Sequence, residues 1–467
     1  MTAVAMGVFL ATIDGSIVNI ALPTLVRAFD TQFAVVQWVV LAYLLTIATM
    51  MLSMGRLADI VGRKPLYLSG FIVFTIGSAL CGLSQSEYWL IASRVFQALG
   101  ASMMFGLGSA IITEAFPTAE RGKALGIIGS VVSIGIITGP VLGGFLIDAL
   151  SWHWIFFVNL PIGAIGSLMT YRFVPDTKFS RKQRFDFAGA ATLFISLASF
   201  LLALTLGQRA GFTKPLILSL FTAWLIFLAI FIGIEWRVEQ PLIDLSLFRR
   251  NLLSVNLATG FITFISIAGA VLLMPFYLEN VLNYSPRQVG MLLAVVPLML
   301  GIVSPISGSL SDRYGTRPIT VIGLMVLLFG YACLSTLNEH TSAAGYVLRF
   351  MPVGIGMAIF QSPNNSAIMG AAPIERLGIV SGLLSLTRTL GQTTGIALLG
   401  AIWAGRTAYY GNPSLPEGGA KDPAIAQVLG LNDTFMVIVA LIGVGLLLSA
   451  WALVKEKSAG FAKDKSL

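Results

Sequence analysis

Long apolar runs separated by short polar gaps dominate the chain. Fourteen such runs stand out, at 3–25, 34–54, 66–84, 89–113, 123–149, 154–174, 187–207, 215–235, 252–275, 288–311, 318–337, 343–370, 377–404 and 433–454. A helix crosses a bilayer with about 20 mainly apolar residues, and lipid offers no partner to an open backbone N–H or C=O. The runs are therefore expected to be transmembrane helices 1–14 of an all-α membrane protein. The short alternating strands of a closed outer-membrane barrel are not the pattern here. The polar stretches 175–186, 236–251 and 405–432 are too short for a soluble domain, which leaves binding and chemistry to the membrane part.

Composition supports the same class. Hydrophobic residues make up 56% of the 467 and charged residues 11%, against about 45–50% and about 25% in soluble domains. The net charge of +8 does not point to nucleic acid, because the cations sit in the gaps between apolar runs. Counted from the N-terminus, the even gaps and the tail carry most of them, including Arg56, Arg63, Lys64, Arg121, Lys123, Lys178, Arg249, Arg313, Arg317 and Lys455. The positive-inside rule then places both termini in the cytoplasm of a cell (inner or plasma) membrane. The first run begins next to Met1 without a basic leader and carries an acid at its middle, so it reads as a mature helix. Cys81 and Cys333 lie within apolar runs and read as packing residues. The two histidines, His153 and His340, make no metal cluster, and no phosphate-binding loop appears at a strand–helix junction. No nucleophile–base pair suggests an enzyme. No cofactor, metal or nucleotide is expected.

One repeat organises the chain. GRLADIVGRKP at 55–65 and GSLSDRYGTRP at 308–318 share Gly55 with Gly308, Leu57 with Leu310, Asp59 with Asp312, Gly62 with Gly315, Lys64 with Arg317 and Pro65 with Pro318. The repeat predicts two pseudo-symmetric six-helix bundles, at 1–174 and 252–454. An inserted helix pair (helices 7 and 8) with its flanking loops occupies 175–251, and a cytoplasmic tail 455–467. Parallel halves about an axis normal to the membrane are a transporter plan. Glycine at each end of the motif permits a tight reversal. The aspartate can hold the N-terminal amides of the next helix or a cation such as Arg63 or Arg313. Such a loop would act as a latch that breaks when the halves rock.

These loops resemble the signature of the major facilitator superfamily, and four further motifs resemble those of its fourteen-spanning drug:proton antiporters. They are Asp14-Gly15-Ser16-Ile17-Val18-Asn19-Ile20-Ala21-Leu22-Pro23 in helix 1, and Arg94-Val95-Phe96-Gln97-Ala98-Leu99-Gly100 in helix 4. Gly135, Gly139, Pro140, Gly143 and Gly144 form the antiporter motif in helix 5. Trp152-His153-Trp154-Ile155-Phe156-Phe157-Val158-Asn159-Leu160-Pro161 opens helix 6. The resemblance covers the chain and implies the major facilitator fold. It implies export of a small hydrophobic or cationic organic compound in exchange for protons, by a monomer in the lipid bilayer. Two departures stand out. Ile60 replaces the basic residue that often follows the motif aspartate, and no acid lies at mid-membrane in helices 7–14.

Asp14 is the sharpest candidate for proton coupling. An acid in mid-membrane costs about 2.5–3.5 kcal/mol on insertion scales and faces a cavity or a partner. The resemblance adds Arg94 and Gln97, with Arg94 buried near an acid; the alternative is an arginine that snorkels outward. For Asp14 the alternative is a structural acid, bonded to neighbouring Asn19 or Ser16 or paired with an arginine. Arg388, near the middle of helix 13, is expected to face the central cavity or bond to carbonyls and to Gln361, Asn364, Asn365 or Gln392. Met103, Met104, Phe261, Phe264, Phe276 and Phe360 are candidates for an adaptable apolar lining. The helix 5 glycines let a neighbour approach closely, and Pro140 removes a helix hydrogen bond. Glu114, Asp148 and Glu279 read as interfacial charges at helix ends. Symport or export of one metabolite, siderophore or lipid, and a non-transporting receptor of the same fold, remain open alternatives.

Overall fold

The computed structural model describes residues 1–115, 121–174, 186–238, 251–370, 377–412 and 422–464. Within these, the side chains of 52–53, 55–56, 59–60, 109–110, 113–115, 121–127, 129–130, 133, 205, 208–210, 251–252, 377–379, 381–382 and 456–464 are also outside the description. Gly55, Asp59 and Glu114, and the loop cations Lys178 and Arg249, accordingly fall outside it.

Among the described residues, fourteen helices appear where the apolar runs predict them. They are α1 (Thr2–Ala28), α2 (Phe33–Val61), α3 (Arg63–Gly82), α4 (Glu87–Ala115), α5 (Arg121–Ala149), α6 (Trp154–Phe173), α7 (Phe187–Ala210) and α8 (Pro215–Glu235). The second half continues with α9 (Asn251–Phe276), α10 (Pro286–Tyr314), α11 (Thr316–Leu334), α12 (Ala343–Gly370), α13 (Leu377–Tyr410) and α14 (Pro423–Asp464). Among the described residues, 12 segments are long and apolar enough to cross a membrane; α5 and α13 complete the set. Strands are absent among the described residues. The helices form because lipid-compatible side chains leave the backbone no alternative to internal hydrogen bonding.

The contacts divide the molecule into two compact units. The first comprises Met1–Leu242, Met274–Ala294 and Ile396–Ala401, and the second Ile243–Leu273, Val295–Gly395 and Ile402–Leu467. In the first unit α1 lies along α5, α3 along α4, and α2 and α6 close around them. Tyr67, Phe71, Phe74, Met104 and Leu107 are buried at its centre. The inserted helices pair through Phe200 and Trp224, whose ring centroids are 4.7 Å apart, and α7 packs on α2. One side of α8 is exposed, through Leu216, Leu218, Leu225, Ile226 and Ile230; in a bilayer this is a lipid-facing surface. In the second unit α11 packs on α12, α12 on α10, and α14 on α11.

The repeat extends beyond the loop that revealed it. At the same offset as the motif, α2 matches α10, and Gly70 and Gly77 of α3 match Gly323 and Gly330 of α11. A Cβ at Gly77 would stand 2.6 Å from Gln97 Cα, and one at Gly330 2.8 Å from Val353 N. The same glycine therefore admits the next helix in each half.

The loop glycine is also explained. Gly62 has φ 104° and ψ 144°, and Gly315 φ 88° and ψ 153°. That region is nearly closed to other residues, at a cost of about 1–3 kcal/mol. Gly62→Ala and Gly315→Ala are each expected to lower stability by about that amount, read as loss of thermal stability in detergent. An unchanged melting temperature would mean that the reversal does not need this backbone.

Candidate functional site

Asp14 sits near the middle of α1, where the chain runs apolar on both sides, and none of its surface is exposed. Its carboxylate accepts from Arg94 Nη1 at 2.5 Å on Oδ2. On Oδ1 it accepts from Gln97 Nε2 at 2.8 Å and Asn159 Nδ2 at 3.0 Å. Arg94 and Gln97 are three apart on α4, which puts them on one face. Arg94 Nη1 also donates to Gln97 Oε1 at 2.7 Å, and its Nε to the Val39 carbonyl of α2 at 3.0 Å. The Tyr43 ring lies 3.9 Å below the guanidinium. Ser78 of α3 accepts from both amides, Gln97 at 2.6 Å and Asn159 at 3.3 Å. Five helices thus converge on one carboxylate and one guanidinium, both sealed from solvent.

The pairing decides several expectations. Arg94 does not snorkel: its side chain is 1% exposed. Asp14 is not reached by water in this state, because Arg94 and two amides occupy its oxygens. Asn19 does not join the site; it is half-buried and donates to the Gly15 carbonyl at 3.3 Å. Ser16 turns instead toward α5 and donates to the Gly135 carbonyl at 3.2 Å. Ser78, Tyr43 and Asn159 belong to the site but were not singled out by sequence. Asn159 had a visible signal, as the one amide in the motif that opens helix 6.

In the second unit the expected Arg388 bonds do not form. Asn364 donates to the Asn256 carbonyl at 3.2 Å. Among the described residues no hydrogen bond joins half-buried Arg388 to Gln361, Asn364, Asn365 or Gln392. Met104, Phe264, Phe276 and Phe360 are buried, as packing residues. At the places matching Asp14 and Arg94 stand Ile267 and fully buried Phe350, taking Gly356 as the match of Gly100.

The helix 5 motif makes the close approach expected of it. Against α1, a Cβ at Gly135 would lie 3.0 Å from Thr12 Cβ, and one at Gly143 2.6 Å from Ile17 Cγ1. One at Gly139 would strike the Ser16 hydroxyl. A Cβ at Gly144 would collide with the Pro286 carbonyl of α10, and one at Gly290 with the carbonyl of Pro140. Backbone meets backbone here, and neither carbonyl can yield.

The same end of the first unit corrects one sequence reading. Glu279 is not an interfacial charge; its side chain is 3% exposed and accepts from Arg27 Nη2 at 2.6 Å. It lies on a π-helical turn, Tyr277–Val281, that follows Pro275. Asp148, by contrast, is exposed as expected. Burial holds the His153 imidazole, in the α5–α6 turn, below its ordinary value. In the loops, Lys64 Nζ lies 5.8 Å from the Tyr171 ring centroid and Arg313 stacks on Tyr314 at 5.4 Å. Asp312 is exposed, and among the described residues it makes no ion pair.

Known proteins resemble the chain over most of its length. The family model described as Major Facilitator Superfamily matches residues 4–396 and 257–462. The riboflavin transporter RibZ of Clostridioides difficile is 35% identical, with 96% of each chain covered. The multidrug resistance protein Stp of Mycobacterium tuberculosis (strain CDC 1551 / Oshkosh) is 36% identical over 92% of this chain and 80% of its own. Among solved structures, a bacterial homologue of the human lysosomal transporter Spinster superposes with a TM-score of 0.67 at 18% identity, covering 96% of this chain and 95% of its own. With its fourteen helices, its duplicated loop and these relatives, the chain belongs to the major facilitator superfamily of membrane transporters.

Proposed function

We propose that the protein exports small hydrophobic or cationic organic compounds in exchange for protons, by alternating access between two six-helix bundles at 1–174 and 252–454. The single observation that carries this reading is the buried Asp14–Arg94 pair. A proton on Asp14 would cancel the charge that balances Arg94. Breaking one side of a buried pair costs about 3–5 kcal/mol, so protonation and rearrangement must occur together. That linkage is what couples a proton to a change of shape. One proton moving down 100 mV supplies about 2.3 kcal/mol. The α1–α2 turn lies outside the cell in this reading, both termini are cytoplasmic, and the monomer is the working unit. The names of Stp and of the Bacillus subtilis multidrug transporter MdtP, 30% identical, support drug-like cargo.

The kinship with RibZ favours a second reading, transport of one planar metabolite of the riboflavin class. Reconstituted vesicles separate the two. Cationic dyes are expected to accumulate uphill only while a proton gradient stands, with proton movement opposite to the dye. Riboflavin flux without dye flux would favour the second reading. Uphill flux that survives full collapse of the proton gradient would overturn proton coupling for both.

A further inference from the structure

We propose that Glu279 is a second proton-binding carboxyl, which latches the α1–α2 end of the molecule through Arg27 and opens it when protonated from that side. The proposal rests on the reading of this end as the outer face of an alternating-access transporter.

The two ion pairs differ in what holds them. Asp14 has three donors and a partner arginine with no exposure to speak of. Glu279 has one donor. Among the described residues nothing donates to its buried Oε1, and a buried acceptor left open is costly. Its partner Arg27 is 55% exposed and also reaches Asn280 at 3.5 Å and Thr24 at 3.3 Å. A proton from outside would add to a carboxylate oxygen and remove the charge. The guanidinium would then pass into water with little loss, which Arg94 cannot do. The proton returns to the same side when the pair re-forms, so atoms and charge balance without a co-reactant.

The surroundings fit a seam that opens. Phe33 of α2 meets Phe276 of α9 edge to face at 5.0 Å. One turn further along α2, Gln37 is fully buried with neither amide atom hydrogen-bonded. The π-helical turn under Glu279 is of a kind frequent at functional sites. Other charged or titratable groups at this end are Asp30 after α1, Asp148 on α5, His153 in the α5–α6 turn, Tyr284 before α10, and Arg287, which stacks on Phe145 at 4.4 Å. Among the described residues, only Arg27 bonds to the Glu279 carboxylate. The first stretch of α2, Phe33–Val40, carries no titratable side chain.

The test uses a membrane-impermeant thiol reagent on the full chain in right-side-out vesicles. The reporter is Gln37→Cys, with exposed Gln32→Cys as the standard for pH effects on thiol chemistry and the parent chain as blank. Relative to that standard, labelling is expected to rise about tenfold from about pH 7.5 to about pH 5.5. In Glu279→Gln it is expected to be high at both values. Val36→Cys, fully buried on α2 beside Gln37, provides a second reporter with the same expected pattern. Asp14→Asn should lose proton-driven transport yet keep the labelling rise. If the rise persists but transport proves independent of protons, the coupling reading fails and the latch stands. Flat labelling at both reporters in a chain that transports, or continued protection in Glu279→Gln, overturns the latch.

Discussion

Arg94→Ala is expected to be the most damaging single substitution, costing about 3–5 kcal/mol because it leaves the Asp14 charge buried and unpaired. Thermal unfolding in detergent reads the loss, and efflux should fall to background. Asp14→Asn keeps the side-chain shape and two hydrogen-bond partners but strands the Arg94 charge, so it should lose coupled transport and some stability. The double variant Asp14→Asn with Arg94→Gln removes both charges together. It is expected to regain most of the stability, since replacing both partners of a buried pair is far milder than removing one. Transport should stay lost. This split between folding and flux separates the coupling role from a merely structural one. If the double variant transports uphill, the pair is packing and the proton is carried elsewhere.

The second large effect is expected where α5 meets α10. Gly144→Val and Gly290→Val each drive a side chain into a backbone carbonyl of the facing helix. Overpacking of this kind costs about 1–3 kcal/mol, but the functional loss should exceed the loss of stability. The backbones would be held apart, water would enter the seam, and vesicles carrying either variant should dissipate a pH gradient faster than the parent. Gly15→Ala is the control, because a Cβ there meets nothing within 4 Å. Vesicles with Gly144→Val that hold their gradient as well as the parent would remove the sealing role of the motif.

Much of this was legible in the sequence, for physical reasons. Lipid forces apolar runs into helices, so helix positions follow from composition along the chain. A glycine pair at matching places forecast a backbone that only glycine adopts, and Gly62 and Gly315 adopt it. Asp14 and Arg94 were visible because charge in mid-membrane is costly and rare. Their pairing was suggested by motif resemblance alone, since residues 80 positions apart share no local period. Ser78 and Tyr43 were illegible because a lone hydroxyl in an apolar helix usually bonds its own backbone, as Thr12 does with the Val8 carbonyl at 2.6 Å. Glu279 was misread because distance from a helix end does not reveal what folds over it. Here α1 supplies the cover and the cation.

Among the described residues the duplicated scaffold carries the Asp14–Arg94 pair in one half, since Ile267 and Phe350 fill the matching places. In the proposed exchange, one proton moved per cycle would set its electrical character. Trading it against a monovalent cation moves no net charge, so the membrane voltage drops out and acidity alone drives the exchange. An uncharged cargo would instead leave one positive charge per turnover to be driven by voltage. The proton proposed for Glu279, loaded and released on one side, would contribute to neither total.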